Sequence, residues 1–319
     1  MTRVLITGVL GFIGSNLAKS AVERGWDVYG VDLWDASDGL AALHVDIDRP
    51  VVRIPVQRKS FSTTLRGAKA DVVVHLAAEA IVAHSEKRPG TGFETNVMGT
   101  VNVLEACWAR KVPCIVASSD KSYGNGPIPF LETDPLRPRF PYDTSKACQD
   151  LIAHSYFRTY GLPVLVTRAV NTYGPGDLNW TRLVPHTCRA ALHGERPRNH
   201  RVMWTTKREW LYVNDLVSAY MLLASNLVEN RMDFAKQIDC AVNVGSGQIA
   251  SPSEVVPRIL QNAGHPELEP VLEDAGFHQL EDEAVDSSRI RRLGWKPDTG
   301  LDAGLARTVG WYRTYLEGN

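Results

Sequence analysis

Apolar positions in the first half of the chain fall in short continuous runs rather than in strict alternation. Val4-Leu5-Ile6, Val72-Val73-Val74, Cys114-Ile115-Val116 and Val164-Leu165-Val166 are the clearest. Such runs suit strands covered on both faces, as in a parallel sheet. They predict strands at 3–6, 27–32, about 51–56, 71–76, 113–118 and 163–168. Helical spacing fills the gaps, most plainly over 12–24, 92–110 and 142–160. The last of these follows Pro141 and stops at Gly161, the usual order of helix-end residues. Strand and helix alternate in this way up to about residue 170. That predicts an α/β fold, a doubly wound parallel sheet with helices on both faces.

Beyond residue 171 the pattern turns irregular, with Gly174, Pro175, Gly176, Pro185, Gly194 and Pro197. The expected organisation is a first lobe over 1–170 and a smaller mixed α/β lobe over 171–319. Residues 208–245 are expected to return to the first lobe, through Trp210 to Ala224 and the short strand Ala241 to Val244. The acidic stretch 272–285 reads as a solvated loop.

Composition narrows the partners. The 319 residues are 44% hydrophobic and 22% charged, with a formal net charge of −1. A chain near neutrality gives no reason to expect nucleic acid or a membrane surface. No apolar run is long enough to span a bilayer, and the first is too short for a secretory leader. Five scattered cysteines, Cys107, Cys114, Cys148, Cys188 and Cys240, read as free thiols of a reducing cytoplasm. The nine histidines do not cluster, so no metal site is expected.

Candidate chemistry begins at Thr7-Gly8-Val9-Leu10-Gly11-Phe12-Ile13-Gly14, directly after the first apolar run. A strand, a glycine loop and a helix in that order prepare a bed for a dinucleotide pyrophosphate. Gly8 permits the tight turn, Gly11 lets backbone approach phosphate, and Gly14 lets helix pack on strand. The helix start, Phe12 and Ile13 included, turns unpaired N–H groups and a partial positive charge towards the anion. Asp32, ending the second strand, suits ribose hydroxyls and repels a 2′-phosphate, which favours NAD over NADP. Leu76-Ala77-Ala78 follow the fourth strand, small enough to lie against the cofactor. His75 reads as structural.

Two further clusters stand at element ends. Tyr142 and Lys146 are four residues apart on a predicted helix and so share a face. A free phenol titrates near ~10, too high for a base at neutral pH. A fixed ammonium and a positive nicotinamide ring would lower it. Ser119-Asp120-Lys121 follows the strand ending at Val116, where the ligand crevice of a doubly wound sheet lies.

Together with HLAA at 75–78, Asn96 in TNVMGT, RAVNTYGPGD at 168–177, REWLYVND at 208–215, NVGSG at 243–247 and LGWKP at 293–297, these residues resemble the extended short-chain dehydrogenase/reductase family. Its nucleotide-sugar epimerases and dehydratases are the nearest branch. The resemblance covers essentially the whole chain and implies a Rossmann domain with a smaller substrate lobe. It implies NAD held by Gly8, Gly11, Phe12, Ile13, Gly14, Asp32, Leu76, Ala77, Ala78, Asn96, Tyr142 and Lys146. Ser119 would bond the sugar 4-hydroxyl and Tyr142 would take its proton. Lys146 would hold the nicotinamide ribose. Asn171 and Arg208 would contact the nucleotide diphosphate. A homodimer paired through helices 96–110 and 142–160 is also implied.

The Asp120-Lys121 pair resembles the acid-then-base pair of sugar-nucleotide 4,6-dehydratases, most closely CDP-glucose 4,6-dehydratases. Such an enzyme oxidises C4, eliminates water across C5–C6 with Lys121 as base and Asp120 as acid, and returns hydride to C6. The alternatives are a nucleotide-sugar 4-epimerase, which needs only Ser119, Tyr142 and Lys146, and a non-catalytic NAD-binding sensor or scaffold. The expected place of the adenine contact falls near Val56-Gln57, which has no acid; either the intervening loop is rearranged so that the upstream Asp46-Ile47 serves, or Gln57 substitutes. Candidates for base and sugar contacts are Trp180, Arg182, His200 and Arg289.

Overall fold

The structure is a computed structural model, and it describes residues 1–33, 39–274 and 281–318. Helices of eight or more residues and all strands are numbered in chain order. A seven-stranded, all-parallel sheet runs β10-β6-β5-β4-β1-β2-β3. Its strands are β1 (Arg3–Thr7), β2 (Asp27–Asp32), β3 (Val52–Arg53), β4 (Val72–His75), β5 (Cys114–Ala117), β6 (Val164–Ala169) and β10 (Ala241–Val244). The apolar runs at its centre are almost fully buried, as strands covered on both faces require. The covering helices include α1 (Phe12–Glu23), α2 (Phe61–Ala68), α3 (Gly99–Arg110) and α4 (Pro141–Tyr160). Strand order reverses between β1 and β4, and ligands of such sheets bind outside the carboxyl ends at that point.

The smaller lobe has its own core. It includes β7 (Asn171–Tyr173), α5 (Leu183–Leu192), β8 (Arg198–His200) and β9 (Arg208–Tyr212). After α6 (Val213–Gln237) and β10, the lobe resumes with β11 (Ile249–Ala250), α7 (Pro252–Ala263), β12 (Val271–Glu273) and α8 (Leu301–Glu317). One sheet runs β11-β9-β7, another pairs β12 with β8, and α5, α7 and α8 pack together.

Several expected boundaries shift. Only Val52 and Arg53 of the expected strand 51–56 pair with β2. A wider, π-type turn over Glu94–Met98 precedes α3, so 92–110 is not one uniform helix. Residues 208–212 stay in the small sheet, and the return to the large lobe begins at Val213 with α6, which packs on α1, β4, β5 and β6. Val285, Ile290 and Trp295 also belong to the first core.

Candidate active site

A cleft of about 720 Å³ crosses the carboxyl ends of the central strands and continues over β8 and β9. At one end it is a cradle of backbone. Gly8 has φ +72°, and its amide donates to the Val31 carbonyl at 2.8 Å. A Cβ on Gly14 would lie 2.0 Å from the Gly8 carbonyl oxygen, so the glycine loop and α1 can approach this closely only without side chains. Gly14→Ala is therefore expected to lower the thermal midpoint and abolish dinucleotide binding, read by calorimetry and fluorescence titration. Gly11 precedes α1 with no side-chain cap, and Gly11, Phe12, Ile13 and Gly14 line the cleft. The uncapped N–H groups of a first helical turn are anion donors.

Asp32 stands at the rim, its carboxylate accepting from the amides of Leu10 (2.9 Å) and Leu33 (2.7 Å). Leu76, Ala77 and Ala78 form the opposite wall, with Ile54, Pro55, Val56 and Gln57 nearby. Of the two adenine alternatives, Gln57 reaches the cleft, while Ile47 packs on the core beside Gly30. Shape, donors and the acid at the rim all fit a dinucleotide with free ribose hydroxyls.

Asn96 departs from expectation. It is fully buried behind the wall, where Oδ1 accepts from Glu79 N (2.7 Å) and Nδ2 donates to Glu79 O (3.1 Å) and Ser145 Oγ (2.8 Å). It ties the loop after β4 to α4; its neighbour Thr95 lines the cleft. His75 is structural: Nδ1 meets Thr7 Oγ1 at 2.8 Å and Nε2 meets Thr100 Oγ1 at 3.1 Å, and burial pushes the ring down to about 3.

At the other end β5 delivers Ser119, Asp120 and Lys121 through a tight turn, and α4 delivers Tyr142 and Lys146. Ser119 Oγ donates to Asp120 Oδ1 at 2.8 Å and shares a hydrogen bond with the Tyr142 phenol. Asp120 is buried, and its Oδ2 has no partner among the described residues. Burial raises its carboxyl to about 6, against the pull of Lys121. Burial likewise raises Asp143, on the same helix as Tyr142, to about 7.

The surroundings of Tyr142 set where its phenol starts. Burial holds the phenol above its ordinary range, with Arg182 and the Ser119 hydrogen bond pulling the other way. Lys146 stands one turn further along the same helix. Its Nζ lies 6.0 Å from the ring centre and donates to the Ala117 carbonyl at 2.9 Å, while burial lowers the amine to about 7.

Apart from Asn96, the residues that the resemblance picked out line this cleft, and comparison with known proteins decides the family. The NAD dependent epimerase/dehydratase family matches residues 4–245. The chain belongs to that family. A dTDP-glucose 4,6-dehydratase of Xanthomonas campestris pv. campestris is 32% identical over 98% of this chain and 94% of its own length. The structure of a dTDP-glucose 4,6-dehydratase from Bacillus anthracis in complex with NAD is 28% identical, with TM-score 0.85 over 99% of this chain and 98% of its own. A UDP-glucose 4-epimerase of Thermus thermophilus complexed with NAD is 27% identical, with TM-score 0.84 over 98% and 99%. The cofactor of this epimerase/dehydratase member is NAD. The dehydratase resemblance holds; the dehydratases matched here are dTDP-glucose enzymes, which is compatible with the CDP-glucose likeness of the motifs.

On the substrate side of this family member, Asn171, Arg182, His200 and Arg208 line the cleft. Asn171 Nδ2 has no partner among the described residues, and Arg182 reaches Asp177 at 3.3 Å. Trp180 and Arg289 do not reach it. Trp180 packs between Arg189 and Tyr312, and Arg289 donates to the carbonyls of Ile238 and Ala241 on another face.

Two residues escaped the sequence reading. Asn199 on β8 is 5% exposed, lines the cleft, and leaves both amide atoms without partners among the described residues. Glu283 lies in the stretch read as a solvated loop, of which 275–280 fall outside the described residues. Glu281 and Asp282 are exposed as expected, but Glu283, Ala284 and Val285 are buried. The Glu283 carboxylate pairs with Lys121 Nζ and with Arg208 Nε. The apolar pair after Glu283 was the available signal. Arg208 also donates to the carbonyls of Lys207 and Glu281, so it is held from behind as it faces the cleft.

Proposed function

We propose that this chain is an NAD-dependent nucleotide-sugar 4,6-dehydratase. The large lobe would carry the dinucleotide and the small lobe the nucleotide end of the substrate. NAD, when bound, supplies a reversible hydride acceptor and a positive ring near Tyr142. Tyr142, hydrogen-bonded to Ser119, takes the proton of the 4-hydroxyl. The resulting ketone acidifies the C5 proton, which Lys121 removes. Asp120 gives its proton to the departing 6-hydroxyl, and water leaves. Lys121 then gives a proton to C5 while the hydride taken from C4 would be returned to C6 by the cofactor, so the sugar emerges as a 4-keto-6-deoxy derivative plus water, with no net oxidation.

The single observation that carries this reading is Asp120. It is a buried carboxyl with an orphan oxygen, lifted to about 6 and bonded to the Ser119 that also touches Tyr142. An epimerase has no use for a carboxylic acid at this place. A non-catalytic sensor has no use for it either.

We also infer a homodimer of cytoplasmic enzyme. In support, Met98 before α3, Trp108 on α3, and Leu151 and Tyr160 on α4 leave large apolar side chains exposed on neighbouring helices. A two-fold interface brings one such patch onto itself. Leu151→Glu is expected to halve the mass measured by light scattering.

The functional test is a panel of CDP-, UDP-, dTDP- and GDP-hexoses with product mass recorded. Loss of one water from any of them supports a dehydratase, and an isomer of unchanged mass supports the epimerase. The same panel addresses Asn199, whose amide offers one donor and one acceptor to a base edge. Asn199→Leu is expected to flatten the preference among bases by about tenfold, the ordinary worth of one buried hydrogen bond to a ligand.

A further inference from the structure

Glu283 carries a charge that the chemistry above leaves unused. Its backbone is fastened along β9: the amide donates to Lys207 O at 3.1 Å, and the carbonyl accepts from Glu209 N at 3.1 Å. The carboxylate is thereby fixed between cations from two different elements. Lys121 Nζ donates to its two oxygens at 2.7 and 2.6 Å, and Arg208 Nε lies at 3.0 Å. The Glu283 side chain is 1% exposed, Arg208 3% and Lys121 15%. Asp120 and Asp143 also act on Lys121, each with a buried oxygen that has no partner among the described residues. Tyr142, Lys146 and Arg182 complete the charged and titratable groups around them.

An ammonium cannot accept a proton. For Lys121 to serve as base it must first lose one, and the acceptor already in line is Glu283. Glu283 is buried and Lys121 only partly exposed, so the transfer depends on the charges beside them. Arg208 pairs with Glu283 and not with Lys121, so any anion that engages Arg208 weakens the stabilisation of the Glu283 charge first.

We propose that Glu283 is a positioning residue that takes the Lys121 proton when a diphosphate engages Arg208, so that substrate binding itself frees the amine. Without an anion, Arg208 and Lys121 together hold the carboxylate and the proton stays on nitrogen. With the diphosphate in place, the proton crosses the existing hydrogen bond; one N–H bond breaks, one O–H bond forms, and net charge is unchanged. When the product leaves, the proton returns. What the freed amine does next rests on the dehydratase reading; the proton exchange does not.

The test is trace acetylation of Lys121 by acetic anhydride, read by peptide mass spectrometry on the NAD-loaded enzyme. CDP, UDP and dTDP are added in turn, without any sugar that would cover the amine. In the wild type, labelling is expected to rise at least fivefold with the nucleotide that binds. In Glu283→Gln, labelling is expected to be fast with or without nucleotide. Glu283→Asp, which keeps the acid, is expected to restore the nucleotide response in part. A wild-type rate unmoved by a nucleotide whose binding calorimetry has established overturns the proposal. So does a Glu283→Gln rate equal to that of the nucleotide-free wild type, given unchanged NAD affinity. In turnover, Glu283→Gln is expected to lower kcat at least tenfold with a smaller change in KM, because the freed amine is no longer held in place. If labelling responds as stated while no nucleotide sugar loses water, the dehydratase reading fails and the proton coupling stands.

Discussion

Replacing Tyr142 by Phe lowers kcat by about 10²–10⁴-fold, the range of a positioned acid–base group. The effect is large because no neighbour can take over. Ser119 donates its hydroxyl hydrogen bond to Asp120, and Lys146, 6.0 Å from the ring centre, donates to the Ala117 carbonyl. The ring itself survives in Phe, so the wall of the cleft keeps its shape and NAD affinity is expected to change little. The phenol starts above its ordinary range because it is buried. Turnover in the wild type is therefore expected to rise with pH until the phenolate forms in the loaded enzyme, and that rise is expected to vanish in Tyr142→Phe. The measurement is steady-state kcat across pH beside a calorimetric titration of NAD. A variant that keeps more than a tenth of wild-type turnover removes Tyr142 from the mechanism.

Much of this arrangement was legible before any coordinates because it is local. Apolar runs bounded by glycine loops dictate buried parallel strands, and strand ends dictate where Ser119, Asp120, Gly8 and Asp32 emerge. Tyr142 and Lys146 follow from helical period. What escaped depends on contacts between distant segments. Glu283 is 162 residues from Lys121, and the two residues before it are acidic and exposed, so the acidic run outweighed the apolar pair that follows. Asn96 sits inside a good motif, but the burial of its side chain follows from how the loop at Glu79 folds back, which no spacing encodes. Strand β3 shrank to two residues because, after the Ile54 amide bonds the Asp32 carbonyl, Pro55 to Gln57 turn away to line the cleft. Trp180 looked like a ligand platform, yet a large aromatic in a small lobe is worth more as core, and Tyr312 claims it.

Asp120→Asn and Lys121→Met separate the first half of the reaction from the second. Neither residue is needed to oxidise C4, so both variants are expected to keep binding NAD and nucleotide sugar. Both are expected to show near-ultraviolet absorbance of reduced nicotinamide after mixing. Loss of water is expected to fall by about 10²–10⁴-fold in each. Asp120 must carry a proton to give one, and burial lifts its carboxyl to about 6. The active form is therefore depleted as pH rises through that region, which is expected to give a falling basic limb in the wild type. Asp120→Asn cannot titrate, so whatever residual turnover remains is expected to lack that limb. In kcat/KM, which reports the free enzyme, Lys121→Met leaves Asp120 without the ammonium that pulls its carboxyl down, so the limb is expected to move to higher pH. Product mass, the absorbance transient and the pH profile together decide the matter. Undiminished water loss in both variants defeats the dehydratase. Unchanged substrate mass in the wild type, with inversion at C4, leaves the epimerase, for which Asp120 and Lys121 are bystanders.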